Sequence, residues 1–127
     1  MRWQPDGWAT RAIALYRRLQ ANALVAEVNQ GGDMVGAVLR HVDATVPLRT
    51  VHARRGKYLR AEPVAALYAQ GKVKHVGRPM PELEDQMCDF GLDGLSSGGS
   101  PDRLDALVWA VTELTGRAWQ GPRIRRL

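Results

Sequence analysis

Two groups of acidic side chains stand where the sequence predicts the end of a strand and the start of a helix. Glu27 lies in the run ALVAEV, residues 23–28, whose other letters suit a buried strand. Asp102 and Asp105 lie in the run SPDRLDALVWA and, three residues apart, project close together from a predicted helix. Carboxylate oxygens are hard ligands that bind Mg²⁺ or Mn²⁺ together with water and substrate phosphate. These carboxylates are therefore candidates for a divalent-cation site.

Each carboxylate also has an ordinary structural explanation. Glu27 fits a sheet edge or an ion pair with one of the many arginines. The helix dipole alone favours an aspartate in the first turn, where Asp102 follows Ser100 as N-cap and Pro101 as the first helical residue. Asp105 fits a solvated position or a place in a capping network. Two-ion hydrolysis of a phosphodiester needs acids from separate elements, and Glu27 with Asp102 meets that demand, but the residue types alone leave both explanations open.

A basic stretch, RTVHARRGKYLRAEP at residues 49–63, supplies candidate contacts to a phosphate backbone. Arginine and lysine side chains beside a metal site would hold nucleic-acid phosphates and set register, without reading the base sequence. A solvated loop that leads into a helix explains the same letters. The cations of this stretch are Arg49, Arg54, Arg55, Lys57 and Arg60, and of these the last four are the candidate DNA-binding residues.

Composition and charge narrow the class of protein. The 127 residues suit one domain, and no apolar run approaches the length of a membrane helix. Cys88 is the single cysteine, which excludes an internal disulfide and fits a cytosolic setting. Residues 1–80 hold 13 Lys or Arg and 5 Asp or Glu, whereas residues 81–116 hold one basic and 8 acidic residues. The basic part favours a polyanion partner and the acidic part a metal site, although an uneven solvated surface has the same composition.

Helices and strands alternate along the chain, which predicts an α/β fold with a mostly parallel sheet flanked by helices. Three short strands make a narrow sheet with an unpaired edge, so we expect self-association through that edge. Gly71 is well placed to end the third helix. Helices are predicted at residues 8–20, 32–42, 60–70, 81–90 and 101–115, and strands at residues 23–28, 48–53 and 72–76.

Three motifs in order carry a resemblance to a known family. They are LVAEVNQGGDMV, KYLRAEPVAALYAQGKVKHVG and SPDRLDALVWAVTEL, and the resemblance that they carry covers about residues 5–116. The combination resembles the C-terminal nuclease domain of phage large terminase subunits, and most closely the terminase-like DNA-packaging proteins of gene transfer agents and prophages. The resemblance implies an RNase H-like fold and a metal-dependent endonuclease that cuts concatemeric double-stranded DNA during packaging in the bacterial cytoplasm.

The resemblance also implies partners and site residues. In such proteins three acidic residues hold two Mg²⁺ or Mn²⁺ ions, and the nuclease works with a portal and a small terminase subunit. Glu27 matches the acid at the end of a later strand, Asp102 matches the acid of the final helix, and Asp105 is a supporting carboxylate nearby. The resemblance thus implies that Glu27 and Asp102 are the metal ligands and that all three acids belong to the catalytic site.

Two parts of the family pattern have no counterpart in these residues. They are the aspartate of the first strand and the ATPase domain with its phosphate-binding loop. We therefore expect a partial nuclease domain at residues 1–116 with its first strands missing, followed by a basic, flexible tail at 117–127, and we expect the chain alone to be a poor nuclease. The alternatives are an inactive remnant that binds DNA or protein, and another RNase H-like nuclease such as a resolvase.

Overall fold

The computed structural model describes residues 7–28 and 34–120, and for residues 117–120 the backbone alone. Residue contacts divide the chain into two compact units, Met1–Arg54 and Arg55–Leu127. The elements in chain order are α1 (Gly7–Arg18), β1 (Leu24–Glu27), α2 (Met34–Val42), β2 (Leu48–Val51), α3 (Lys57–Ala69), α4 (Pro81–Asp89) and α5 (Asp102–Gln120).

The first unit is a strand–helix–strand unit preceded by a helix. β1 and β2 pair in parallel, with Leu24 opposite Leu48 and Glu27 opposite Val51, so the predicted α/β class and parallel pairing are confirmed. Within the described residues this two-stranded pair is the whole sheet. α1 and α2 pack together because apolar residues recur at helical spacing on each. The buried core of the unit is Ala9, Ile13, Leu39 and Val46.

A polar contact joins the end of α1 to the turn after α2. The Arg17 guanidinium donates to the Asp43 carboxylate, which also accepts from the Thr45 hydroxyl at 2.6 Å and the Thr45 amide at 2.9 Å. The Thr45 hydroxyl first, then its amide, and then Arg17 hold the pKa of Asp43 below its ordinary value. The bonded carboxylate therefore stabilises the fold at neutral pH, and this contribution is lost as the pH falls through the lowered pKa.

The second unit is built from three helices around one apolar cluster. The buried residues Val64, Leu104, Val108 and Val111 form it, and side chains of α3, α4 and α5 pack against them. α3 ends at Ala69, and Gly71 follows in the left-handed region at φ 72°, with its amide bonded to the Tyr68 carbonyl. The prediction that Gly71 ends this helix is confirmed, because a residue without a Cβ adopts that conformation at low cost.

The predicted third strand, residues 72–76, is wrong. This segment is irregular, and the side chain of its residue His75 is bonded to two helices. His75 Nδ1 lies 3.0 Å from Glu84 Oε2, and its Nε2 lies 2.8 Å from the Tyr68 hydroxyl. Because the carboxylate accepts, Nδ1 carries a hydrogen, and in the neutral imidazole Nε2 then accepts from the tyrosine hydroxyl. Val73 packs on the apolar cluster. Side-chain contacts with the helices therefore hold this segment in place, instead of the strand pairing that its alternating residues predicted.

We expect Tyr68→Phe to lower the free energy of unfolding by about 1 kcal/mol, the usual net value of one hydrogen bond. Burial and then the charge of Glu84 raise the pKa of Tyr68, so its hydroxyl keeps the hydrogen that it donates to His75. Urea unfolding followed by circular dichroism measures the change. Tyr58→Phe is the matched control, because the Tyr58 ring packs against Phe90 in the same unit. Equal losses in the two variants would contradict the assigned bond.

The last helix is longer than predicted at its C-terminal end. α5 continues to Gln120, five residues beyond the predicted end of the last helix, and residues 121–127 of the predicted tail lie outside the described residues. The division at residue 116 therefore stays a prediction.

Among the helices in residues 7–28 and 34–120, none has the length and apolar character needed to cross a membrane.

Candidate functional site

Charged residues gather where α3 and α5 begin. The two helices pack along the apolar cluster of the second unit, so their first turns lie side by side. α3 begins at Lys57, three residues before the predicted start, which places Lys57 in its first turn. We call the group at these two helix starts the α3–α5 cluster, and its members are Lys57, Arg60, Ser100, Asp102 and Asp105.

Asp105 and Arg60 form a nearly buried ion pair at the centre of the α3–α5 cluster. Arg60 Nη2 lies 3.1 Å from Asp105 Oδ1, and the two side chains are only 10% and 11% exposed. The Arg60 guanidinium also lies over the Trp109 ring, 4.9 Å from its centre, in a cation–π contact. Arg60 Nε and Nη1 are buried and make no hydrogen bond within the described structure. The pair is therefore a structural contact, in which each nearly buried charge is balanced by the other.

Lys57 connects this pair to Asp102 through a serine hydroxyl. Lys57 Nζ lies 3.8 Å from Asp105 Oδ2 and donates to Ser100 Oγ at 3.1 Å. Ser100 Oγ in turn donates to Asp102 Oδ1 at 2.5 Å. That distance is typical of a hydroxyl bonded to an ionised carboxylate. Asp102 is exposed, so of the two aspartates it is the one whose carboxylate faces solvent.

The predicted N-cap role of Ser100 is wrong by one residue. The first bond of α5 runs from the Asp105 amide to the Pro101 carbonyl at 2.8 Å, so Pro101 occupies the cap position. The Ser100 hydroxyl bonds to the Asp102 side chain instead of to a helix amide. Ser100 is therefore a member of the site that the sequence did not predict. A serine two residues before a candidate ligand was the available signal.

The four predicted DNA-binding residues differ in their surroundings. Arg54 and Arg55 are exposed, and Lys57 is partly exposed with its ammonium directed at Ser100 and Asp105. Arg60 is nearly buried against Asp105. Surface arginines reach a phosphate backbone without loss of a protein contact, whereas Arg60 would have to leave its ion pair. The DNA-binding role of all four stays a prediction.

The donor chemistry of the two aspartates fits a divalent cation unequally. Asp102 offers an exposed, hydrogen-bonded carboxylate, which suits Mg²⁺ or Mn²⁺. Asp105 has one oxygen facing Arg60 and the other facing Lys57, and these positive charges oppose a cation at the same atoms. Over the described ranges, no three side chains of His, Cys, Asp or Glu form a group that could hold a metal ion. Of the two aspartates, Asp102 is thus the one whose carboxylate suits a divalent cation.

Glu27 occupies the last position of β1 and is exposed. Its carboxylate is therefore not buried inside the strand. The strand ends at Glu27, the charged residue that interrupts the apolar run in the sequence. The carboxyl ends of parallel strands are the usual place of sites in open α/β sheets, and Glu27 stands at such an end. Glu27 belongs to the first unit and Asp102 to the second, so their convergence on one cation stays a prediction.

The fold and the site define an α/β protein with a parallel strand–helix–strand unit and an acidic–basic cluster at two helix starts. Comparison with protein families gives a match to the family described as Terminase RNaseH-like domain over residues 2–114. Because this match covers most of the sequence, the chain belongs to that family, and the recognition made from its motifs is confirmed. Neither the comparison with curated proteins nor that with solved structures gave a match.

Membership of the family establishes a general setting. It is a family of DNA-packaging nucleases whose members act on DNA, with a portal and a small subunit, and generally use divalent metal ions. The RNase H-like assignment comes from the family match, because the described residues show only a small sheet of two parallel strands.

Proposed function

We propose that this chain supplies the DNA-cleaving part of a packaging nuclease, which hydrolyses phosphodiester bonds of concatemeric double-stranded DNA. The family match over residues 2–114 is the observation that carries the proposal. The proposed setting is the cytoplasm of a bacterial cell in which a prophage or a gene transfer agent is packaged. The exposed carboxylate of Asp102, at the first turn of α5, supports a metal-dependent reaction.

Asp102 and Glu27 are the proposed ligands of Mg²⁺ or Mn²⁺, which when bound would activate water and offset charge on the scissile phosphate. The other residues act around these two carboxylates. Arg54 and Arg55 are exposed and are the proposed contacts to the DNA backbone. Lys57 stays close to the protein carboxylates and contributes positive charge beside the ligand Asp102. Asp105 takes no ligand role in this proposal, because its oxygens face two cations.

Nicking of supercoiled plasmid by the full 127-residue chain tests this function. We expect slow, Mn²⁺-dependent nicking that Asp102→Ala and Glu27→Ala each abolish. It should be slow because, in the part of the chain that the structure describes, no three side chains of His, Cys, Asp or Glu form a group that could hold a metal ion. Asp93→Ala, a change at an exposed acid outside the α3–α5 cluster, should nick at the wild-type rate. Nicking that persists in Asp102→Ala would contradict the proposal.

A second candidate is DNA binding without cleavage. The engagement of Asp105 by Lys57 and Arg60 favours it, because this carboxylate is balanced by protein cations and calls for no metal ion. Binding of a labelled duplex, measured over a range of salt concentrations, distinguishes the two functions. Affinity that falls steeply with salt, with no Mn²⁺-dependent nicking, would support the second candidate.

A further inference from the structure

Ser100 lies between a cation and the carboxylate of the candidate ligand. Its single hydroxyl hydrogen is donated to Asp102 Oδ1 at 2.5 Å, so Ser100 Oγ acts as acceptor towards Lys57 Nζ at 3.1 Å. An ammonium that donates to a hydroxyl polarises it and strengthens the bond that the hydroxyl donates in turn. The chain of bonds therefore runs in one direction, from Lys57 through Ser100 to Asp102.

The backbone restricts the conformation of the residue that carries this hydroxyl. Ser100 precedes Pro101, and the proline ring restricts the preceding residue to extended conformations. The Asp102 amide donates to the Ser100 carbonyl at 2.9 Å, which ties the serine to the first residue of α5. Lys57 is held from its other side by Asp105 Oδ2 at 3.8 Å. Both ends of the bond chain are thus anchored to helices of the second unit.

We propose that Ser100 is a positioning residue that orients the Asp102 carboxylate for a divalent cation, with Lys57 polarising its hydroxyl. This inference rests on the proposed function, because it assigns Asp102 as a metal ligand. Hydrogen bonds to ligating carboxylates set their direction, and their loss typically weakens metal affinity by about 10- to 100-fold. Ser100 itself does not touch the ion and acts through Asp102.

Mn²⁺ binding to the full chain tests the proposal without reference to catalysis. Electron paramagnetic resonance of free Mn²⁺ gives the dissociation constant for wild type, Ser100→Ala, Ser100→Thr and Asp102→Ala. We expect Ser100→Ala to weaken binding about 10-fold or more, and Ser100→Thr, which keeps a hydroxyl, to bind nearly as wild type. Ser97→Ala is the matched control, because Ser97 Oγ accepts from the Gly99 amide in the same loop and is outside the α3–α5 cluster.

The outcomes separate this proposal from the proposed function. If Asp102→Ala loses Mn²⁺ while Ser100→Ala binds like Ser97→Ala, the positioning role is wrong and the proposed function stands. Equal weakening in both serine variants also overturns the positioning role, since it marks a general effect on the loop. If Asp102→Ala binds like wild type, or wild type does not bind Mn²⁺, the proposed function fails and the positioning role with it. Thermal unfolding of each variant confirms that the fold is retained.

Discussion

Replacing Asp105 with alanine is expected to lower the free energy of unfolding of the second unit by about 3–5 kcal/mol. The variant leaves the Arg60 guanidinium nearly buried, 10% exposed, without the carboxylate 3.1 Å away that balances its charge. Arg60 Nε and Nη1 already make no hydrogen bond in the described structure, so the unpaired cation would keep only the Trp109 ring as a favourable neighbour there. Urea unfolding and hydrogen exchange at α5 amides measure the loss.

The loss of stability in Arg60→Ala can be compared with that in Asp105→Ala. When Arg60 is removed, Asp105 still has the Lys57 ammonium 3.8 Å from its Oδ2, so we expect a smaller loss than in Asp105→Ala. Replacing the pair by apolar residues, Arg60→Met with Asp105→Leu, should restore stability to within about 1 kcal/mol, because no buried charge is then left without a partner.

Asp102→Ala is the matched control on the same turn of α5. Its carboxylate is exposed and interacts with the helix dipole, so the loss should stay below about 1 kcal/mol. A loss in Asp105→Ala no larger than that of Asp102→Ala would show that the buried pair is not required for stability. The two aspartates would then be equivalent, contrary to their different burial.

The different burial of Asp102 and Asp105 could not be predicted from the sequence. Spacing of three residues correctly placed Asp102 and Asp105 close together, because that is a property of any helix. Which of them faces α3 depends on how the two helices pack. The residue that decides the matter, Arg60, is 45 positions away from Asp105 and looked like one more surface cation in a basic stretch.

The fold was predictable where local pattern and connection length agree. The parallel pairing of β1 and β2 follows from two short apolar strands joined through a helix, and Gly71 marks the end of α3 in letters alone. The prediction of a third strand was wrong because alternating apolar and polar residues indicate a half-buried segment, whether a neighbouring strand or helices cover its apolar side. Here His75 bonds to side chains of α3 and α4, and Val73 packs on the apolar cluster.

The second large effect on stability is expected at Leu104, in the apolar cluster of the second unit. Leu104 lies between the two aspartates in sequence, is 8% exposed and packs with Val64, Val108 and Val111. Its backbone amide has no acceptor within the first turn of α5 and donates instead to Gln86 Oε1 of α4 at 3.0 Å. We expect Leu104→Ala to lower the free energy of unfolding by about 2–4 kcal/mol, from lost burial and the cavity that remains.

Leu114 provides the control on the same helix, because it is 70% exposed, and Leu114→Ala should change stability by less than about 0.5 kcal/mol. Leu104→Met keeps the volume and should cost less than about 1.5 kcal/mol. Since Leu104 holds the turn that carries Asp102, Leu104→Ala should also weaken Mn²⁺ binding more than Leu104→Met does. Equal losses of stability in Leu104→Ala and Leu114→Ala would mean that α5 does not pack through Leu104. The placement of Asp102 beside Lys57 and Ser100 would then lose its structural support.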